Sequence, residues 1–475
     1  MISLVKNELV KIFHKKGLYI YGIIILAIFS LMIVFDKFLN INETSLDMIY
    51  ETREKDLENY DLSNKEEVEW YVDEKNLIET YKLEKGYDHN SAEFYYIENT
   101  ISSTIMEMNR AKYIENDEEQ YEIYKAQYDE QIKKLDNFDW KADVLKEKET
   151  YELEIKELKN SGDNSDVVSS RVKELDLRLE GIEYRLKNDV APSFSNASML
   201  VDNYINNAIQ YESLNKDESK LLSNEDLLQK RMVEREYNIT KYKIDNNIVP
   251  NDDMTMQEDF YSEIESSTMF YVIAMLIIAG GIFAEEFNKG TIKQLLVRPF
   301  TRVQIYASKV IAVFIALLIS ILAFCALVFI YDLIQYGDIS SFLNPIIDYS
   351  FKTGEIIKYS TFSYVCSRLI AILPQIVILT LVCIFAGIVS TSTVGAVISV
   401  FGLQFVNGLM SSFISEKITS FIPMNCWDFT SYLMYGVSNN KYGTFGSSVF
   451  ICILTMVVLY ILGRMLFAKK DIKNQ

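Results

Sequence analysis

Between Arg368 and Glu416 the chain runs for 47 consecutive residues without a charge. As helix, at about 1.5 Å per residue, that run would be roughly 70 Å long, against a membrane hydrocarbon core of about 30 Å. It must therefore fold back on itself. The polar, small-residue cluster STSTVG at 390–395 is the natural turn, and it divides the run into two membrane spans.

Four more apolar runs approach the length a helix needs to cross a bilayer: residues 18–35, 266–284, the 22 residues between Lys309 and Asp332, and 442–463. The expected fold class is therefore mainly α: a six-span α-helical integral membrane protein. It carries a large helical, coiled-coil-like extracellular insertion between spans one and two. Three regions follow: 1–35, an amphipathic N-terminal helix and the first span; 36–265, an acidic helical extracellular domain; and 266–475, spans two to six with a cytosolic loop at 285–309. The first apolar run has a basic leader, but it is longer than a signal-peptide core and no A-x-A site follows, so an uncleaved anchor is expected.

Charge orients the spans. Lys6, Lys11, Lys15 and Lys16 precede the first; Lys289, Lys293, Arg298, Arg302 and Lys309 follow the second; Arg464, Lys469, Lys470 and Lys473 follow the last. Six spans bring all three clusters to one side, as the positive-inside rule requires. Both termini are then cytoplasmic, and 36–265 lies outside a plasma membrane of a bacterial, Gram-positive-like cell. Within the first cluster, Ile2, Val5, Leu9 and Ile12 recur at spacings of three and four. That pattern suits a short helix on the inner membrane surface, or a simple extension of the first span.

Composition splits along the same line. Residues 36–267 hold 56 of the 66 acidic and 29 of the 47 basic residues, a net charge of −27, while the remainder of the chain carries +8. The stretch from about 105 to 160 has neither Gly nor Pro and favours one long helix. SGDNS at 161–165 breaks it, and Val172, Leu175, Leu179, Ile182 and Leu186 then repeat at 3-4-3-4 spacing, a coiled-coil seam. An antiparallel helical hairpin is the simplest fit, with further helices over 197–215 and 219–245. The acidity serves either as a solvated face or as an attractor for cationic substrates such as antimicrobial peptides. Tyr121, Tyr124 and Tyr128 are read as packing residues.

Catalytic and metal-binding chemistry find little footing. The five cysteines all fall outside the acidic block and none has CxxC spacing; the two histidines, His14 and His89, have no ligand pattern around them. No catalytic or metal-ligating residue is assigned. No G-x-x-x-x-G-K-[ST] occurs, so an ATP-driven process would need another polypeptide.

The loop after span two, AEEFNKGTIKQLLVRPFTRVQIYASKV at 284–310, holds seven charges, five of them basic. Gly290 permits a turn, Ile292, Leu295 and Leu296 suit a short helix, and Pro299 ends it. Glu285 and Glu286 close the incoming helix, where acidic side chains oppose the helix dipole, so they should face cations; Arg302 and Lys309 are the candidates. Such pairing would clasp spans two and three together. The basic residues alone would also fit plain retention on the inner side.

Here the sequence resembles a family. EExxxGTIKQLLVRPFTRxxIYxSK is similar to the signature of type-2 ABC exporter permeases, with an E, then K/R-G-T, LL-x-x-P-x-x-R and a later K. The resemblance covers about 1–35 and 266–470; many members have only a short first outer loop, so it does not extend to the acidic block. It implies that Glu285, Glu286, Gly290, Thr291, Lys293, Leu295, Leu296, Pro299, Arg302 and Lys309 couple to a cytosolic ABC ATPase. It also implies a second permease subunit, as homo- or heterodimer, with ATP bound on the partner and no cofactor on this chain. The expected function is the permease subunit of an ATP-binding-cassette exporter, itself not an enzyme. Its cargo would be a drug or antimicrobial peptide, in resistance or immunity. Membrane lipid is an expected partner and nucleic acid is not. Inside the spans, Gln375, Gln404 and Asn407 are candidates for a substrate pathway, or for helix-to-helix hydrogen bonds. Gly280, Gly281, Gly402 and Gly408 suit close helix contacts. Two other classes compete: a four-span mechanotransmitting permease, and a membrane-anchored extracellular sensor or binding protein.

Overall fold

The computed structural model describes residues 1–39, 43–162, 165–215, 223–252, 254–292 and 299–470. Its principal helices are α1 (Ile2–Phe13), α2 (Lys16–Leu39), α3 (Glu43–Asp56), α4 (Lys65–Glu84), α5 (Ala92–Tyr96), α6 (Ser102–Arg110), α7 (Glu118–Leu135), α8 (Trp140–Asn160) and α9 (Asp166–Asn188). They continue as α10 (Asn196–Asn215), α11 (Asn224–Asp245), α12 (Met256–Ser266), α13 (Thr268–Asn288), α14 (Arg302–Tyr336), α15 (Thr361–Ser390), α16 (Thr393–Phe413) and α17 (Phe445–Lys469). A two-stranded antiparallel hairpin, β1 (Ile346–Ser350) and β2 (Glu355–Tyr359), joins α14 to α15, with Ile346 opposite Tyr359. The chain divides into two compact units: Met1–Val34, Glu218–Arg235 and Met254–Gln475 form one, and Phe35–Asp217 with Glu236–Asp253 the other.

The first unit is a membrane protein. Five of its helices, within α13 to α17, are long and apolar enough to cross a bilayer among the described residues. A sixth candidate exists only when α1 and the first part of α2 are taken as a pair, bent by 53°. That bend makes α1 a separate helix rather than a straight extension of α2. Its buried face is Leu4, Glu8 and Ile12, while Ile2, expected on the apolar face, is 86% exposed. The turn proposed at 390–395 is present: α15 stops at Ser390, Thr391 adopts φ 51°, and Ser392 caps α16 by accepting from the Gly395 amide. Helix α14 runs 35 residues, roughly 50 Å, so it outreaches the hydrocarbon core. Thr301 and Gln304 form a capping box at its start, and Gly337, at φ 66°, ends it.

Three charged residues taken as span boundaries, Lys309, Asp332 and Arg368, lie inside helices instead. Asp332 and Arg368 are both buried. Arg368 is held by Glu265 at 3.0 Å and by the Tyr364 hydroxyl at 2.9 Å, which is how a cation is tolerated there. The core is continuous, with Met275 and Ile278 of α13, Val313 and Ala316 of α14 and Cys383 of α15 without accessible surface. Of the glycines expected at close contacts, Gly280 faces Val397 and Cys383, and a Cβ at Gly387 would stand 3.4 Å from the Gly280 carbonyl. Among the described residues, a Cβ at Gly402 or Gly408 would meet nothing within 4 Å, because α16 turns most of its apolar side outward.

The second unit is helical. Ion pairs Glu154–Arg171 and Lys148–Glu183 run in opposite order along α8 and α9, so those helices are antiparallel, and Leu175 and Ile182 of the expected seam are buried. The single helix expected over 105–160 is broken twice. Asn116 adopts φ 53° and Asp117 caps α7; Asp139 caps α8 by accepting from the amides of Lys141 and Ala142. Asn and Asp tolerate the left-handed region and make good N-caps, so no Gly or Pro was needed. Tyr128 packs against the Ile97, Ile101, Ile105 and Leu135 cluster.

Candidate functional site

Three helix C-termini gather at one end of the membrane unit: those of α13, α15 and α17. Each leaves unpaired carbonyls and the negative pole of its dipole. Helix α13 makes this worse by ending in Glu285 and Glu286. The cations that answer come from four separate places in the sequence.

Glu286 pairs with Lys309 at 2.8 Å and with Lys11 at 2.8 Å. The same two lysines hold Glu8, at 2.7 Å and 3.0 Å respectively. Glu8, Lys11, Glu286 and Lys309 therefore form a closed ring of alternating charge that sums to zero and joins α1, α13 and α14. Lys309 is fully buried and Glu8 only 3% exposed. The Lys309 ammonium also donates to the Ile282 carbonyl at 3.3 Å and lies 5.5 Å from the centre of the Phe283 ring. Its charge is thus satisfied on several sides, which a buried ammonium requires.

Glu285 turns the other way. It meets Lys15 at 2.8 Å and Lys289, one turn on, at 3.4 Å. Gly281 makes room for this pair, since a Cβ there would fall 2.0 Å from Glu285 Oε1 and 2.7 Å from Lys15 Nζ. Of the two cations expected to face the paired acids, Lys309 does so. Arg302 does not: its guanidinium donates to the carbonyls of Ala468 and Lys470, each at 3.0 Å, and so caps α17. Lys470 in turn donates to the Ile388 carbonyl at the end of α15 and lies 4.7 Å over the Phe287 ring.

The loop leaves from the middle of this arrangement. Gly290, at φ 67°, takes the left-handed turn that ends α13, and Thr291 and Ile292 follow, with Ile292 buried in the core. Lys293, Leu295 and Leu296 lie outside the described residues. The chain resumes at Pro299, whose ring cannot sit in a helix interior, just ahead of the α14 cap. An open cleft of about 1000 Å³ lies beside the ring, lined by Lys11, His14, Lys15, Gly281, Glu285 and Thr393 among others.

Gln375 is half-buried and Gln404 exposed, while Asn407 donates to Asn425 at 2.9 Å, in the short helix Pro423–Cys426. The residue that sequence reasoning missed is Glu8, to which no role was given. One signal was available: it is the only acidic residue in the first 35, surrounded by four lysines.

A helical bundle with an ion-locked end, and a loop held at both of its roots, defines this chain as a polytopic α-helical membrane protein. More particularly, it belongs to the DUF2705 family, described as a protein of unknown function, which residues 236–473 match over half of the chain. It is also similar to the Bacillus subtilis (strain 168) protein titled Uncharacterized protein YhcI, with 26% identity over 240 residues, covering 50% of this chain and 75% of that one. The family match takes in Glu286, Lys309, Arg302 and the loop; Glu8 and Lys11 precede it.

Proposed function

We propose that this chain is the permease subunit of an ATP-binding-cassette exporter, driven by a separate cytosolic ATPase bound at the loop between α13 and α14. One observation carries the proposal: buried Lys309 ties α1, α13 and α14 together where that loop begins and ends. A push on the loop would be delivered to three helices as one body, which is what transmission from a docked motor requires. The loop sequence GTIKQLLVRPFTR supports the same assignment.

In this proposal α2 is a sixth span, both termini are cytoplasmic, and the acidic unit with its coiled-coil-like hairpin is extracellular. The inside-positive distribution of Lys and Arg supports that orientation. The outward apolar faces of α16 and α17, including Phe401, Phe405 and Phe450, would meet lipid or a second permease subunit. The cargo is a drug or an antimicrobial peptide, exported from a Gram-positive-like cell.

Affinity purification of the tagged full-length protein from its native membrane tests this. An ABC ATPase recovered in stoichiometric amount, and lost in a loop variant that folds normally, supports docking. Recovery without any ATPase, together with an extracellular ligand held by the acidic unit, would favour a membrane-anchored sensor.

A further inference from the structure

At the opposite end of α14 the structure gathers three carboxylates. Asp259 and Glu263, one turn apart on α12, and Asp332 of α14 place one oxygen each within 4.8 Å of one another. Asp332 has no exposed surface, and neither of its carboxylate oxygens has a hydrogen-bond partner among the described residues. Glu263 Oε2 is likewise buried without a partner. No lysine or arginine among the described residues forms an ion pair with Glu263 or Asp332. A buried carboxylate facing two others is strongly unfavourable unless a cation or a proton enters.

The cluster is also built to keep its shape. The Thr255–Glu258 capping box fixes the start of α12, and Gln257 anchors that turn by donating to the Asn344 carbonyl at 2.6 Å and to the Thr361 hydroxyl at 2.7 Å. The Tyr336 hydroxyl donates to Asp259 Oδ2 at 3.1 Å and orients that carboxylate from outside the cluster. Asp259 and Glu263 are only partly buried, which leaves an entry path from solvent.

We propose that Asp259, Glu263 and Asp332 bind a calcium ion that fastens α12 to α14. An all-oxygen, all-carboxylate set selects a hard divalent cation. Ligands opposed across a calcium ion stand about 4.6–5.2 Å apart, so the three oxygens already fit within its sphere. Magnesium is usually held by one or two carboxylates with its remaining positions in water, so three carboxylates favour calcium. The geometry does not depend on the transport function proposed above. On that topology, however, this end faces the outside, where calcium sites need only weak affinity.

The test is thermal unfolding of the purified full-length protein in detergent, with EDTA and with calcium. At about 5 mM calcium the midpoint should rise by about 2–4 °C over EDTA, with a smaller rise in magnesium. Asp332→Asn and Asp259→Asn should abolish the calcium response. In EDTA, Asp332→Asn should unfold at or above the wild-type midpoint, because it removes a repelling charge; that distinguishes loss of a ligand from misfolding. The exposed Glu149→Gln should respond to calcium as wild type does. Failure of the wild type to respond would assign the cluster to a shared proton and overturn the proposal. So would a calcium response that persists in both variants.

Discussion

Lys309 Nζ lies 2.7 Å from Glu8 Oε2, across 301 residues of sequence and without accessible surface on the lysine. This contact makes α1 part of the membrane bundle rather than a detached surface helix. Its second partner, Glu286, extends the hold to α13.

Removing Lys309 leaves Glu8 and Glu286 buried around a missing charge. Lys309→Met should destabilise the protein by about 3–5 kcal/mol, read as loss of folded protein in detergent. Adding Glu8→Gln to that variant should recover part of the loss, because one of the stranded charges goes with it. Glu286→Lys would bring a third cation against Lys11 and Lys309, so it should disturb the fold itself and is unsuited to testing coupling alone.

Packing of α17 on α14 turns on one glycine. A Cβ at Gly463 would stand 2.5 Å from the Tyr306 hydroxyl oxygen and 3.2 Å from its ring carbon Cζ. Tyr306 is 1% exposed and cannot withdraw. Gly463→Ala should therefore cost about 1–3 kcal/mol by overpacking, whereas Gly402→Ala, in open space, should cost little in the isolated subunit. Paired melting curves compare them directly.

Arg302 is predicted to act through the end of α17. Arg302→Gln should weaken the two bonds to Ala468 and Lys470 and remove the charge facing that helix end, at a cost of about 1–2 kcal/mol. Hydrogen exchange should quicken in the last turn of α17 and remain unchanged at its start.

In the acidic unit, burial and then the neighbouring Glu98 push Glu84 up to about 8 from its ordinary 4.5. A carboxyl raised on folding favours the folded state fully below its unfolded value, and that contribution fades as pH rises towards and through the folded value. Exchange protection of α4 in the full-length protein should therefore fall as pH rises from about 4.5 to about 8 and level off above that. Glu98→Gln should flatten that dependence. Equal slopes in variant and wild type would place the effect elsewhere.

The helices were legible because their signals are local. Uncharged length marked α13 to α17, and the STSTVG turn lay where the small polar residues put it. The left-handed Asn116 and the cap at Asp139 escaped notice because Asn and Asp are ordinary in helix-rich sequence until the backbone is seen. Pairing across helices was only half legible. The need of Glu286 for a cation follows from its place at a helix end, but the choice of Lys309 over Arg302 depends on which face of α14 meets α13. Asp259, Glu263 and Asp332 come from two helices about 70 residues apart, so no spacing rule for metal ligands could have joined them.

ATP turnover by the reconstituted permease–ATPase complex addresses the central claim most directly. Gly290→Trp strains the left-handed turn at the root of the loop, while no atom of the described residues lies within 4 Å of a Cβ there, so melting can confirm that the bundle persists. The account predicts that wild-type permease changes the turnover of the ATPase severalfold and that Gly290→Trp, with the bundle still folded by melting, loses both the stimulation and the bound ATPase. Equal stimulation by the two proteins, or no ATPase partner for either, would contradict it.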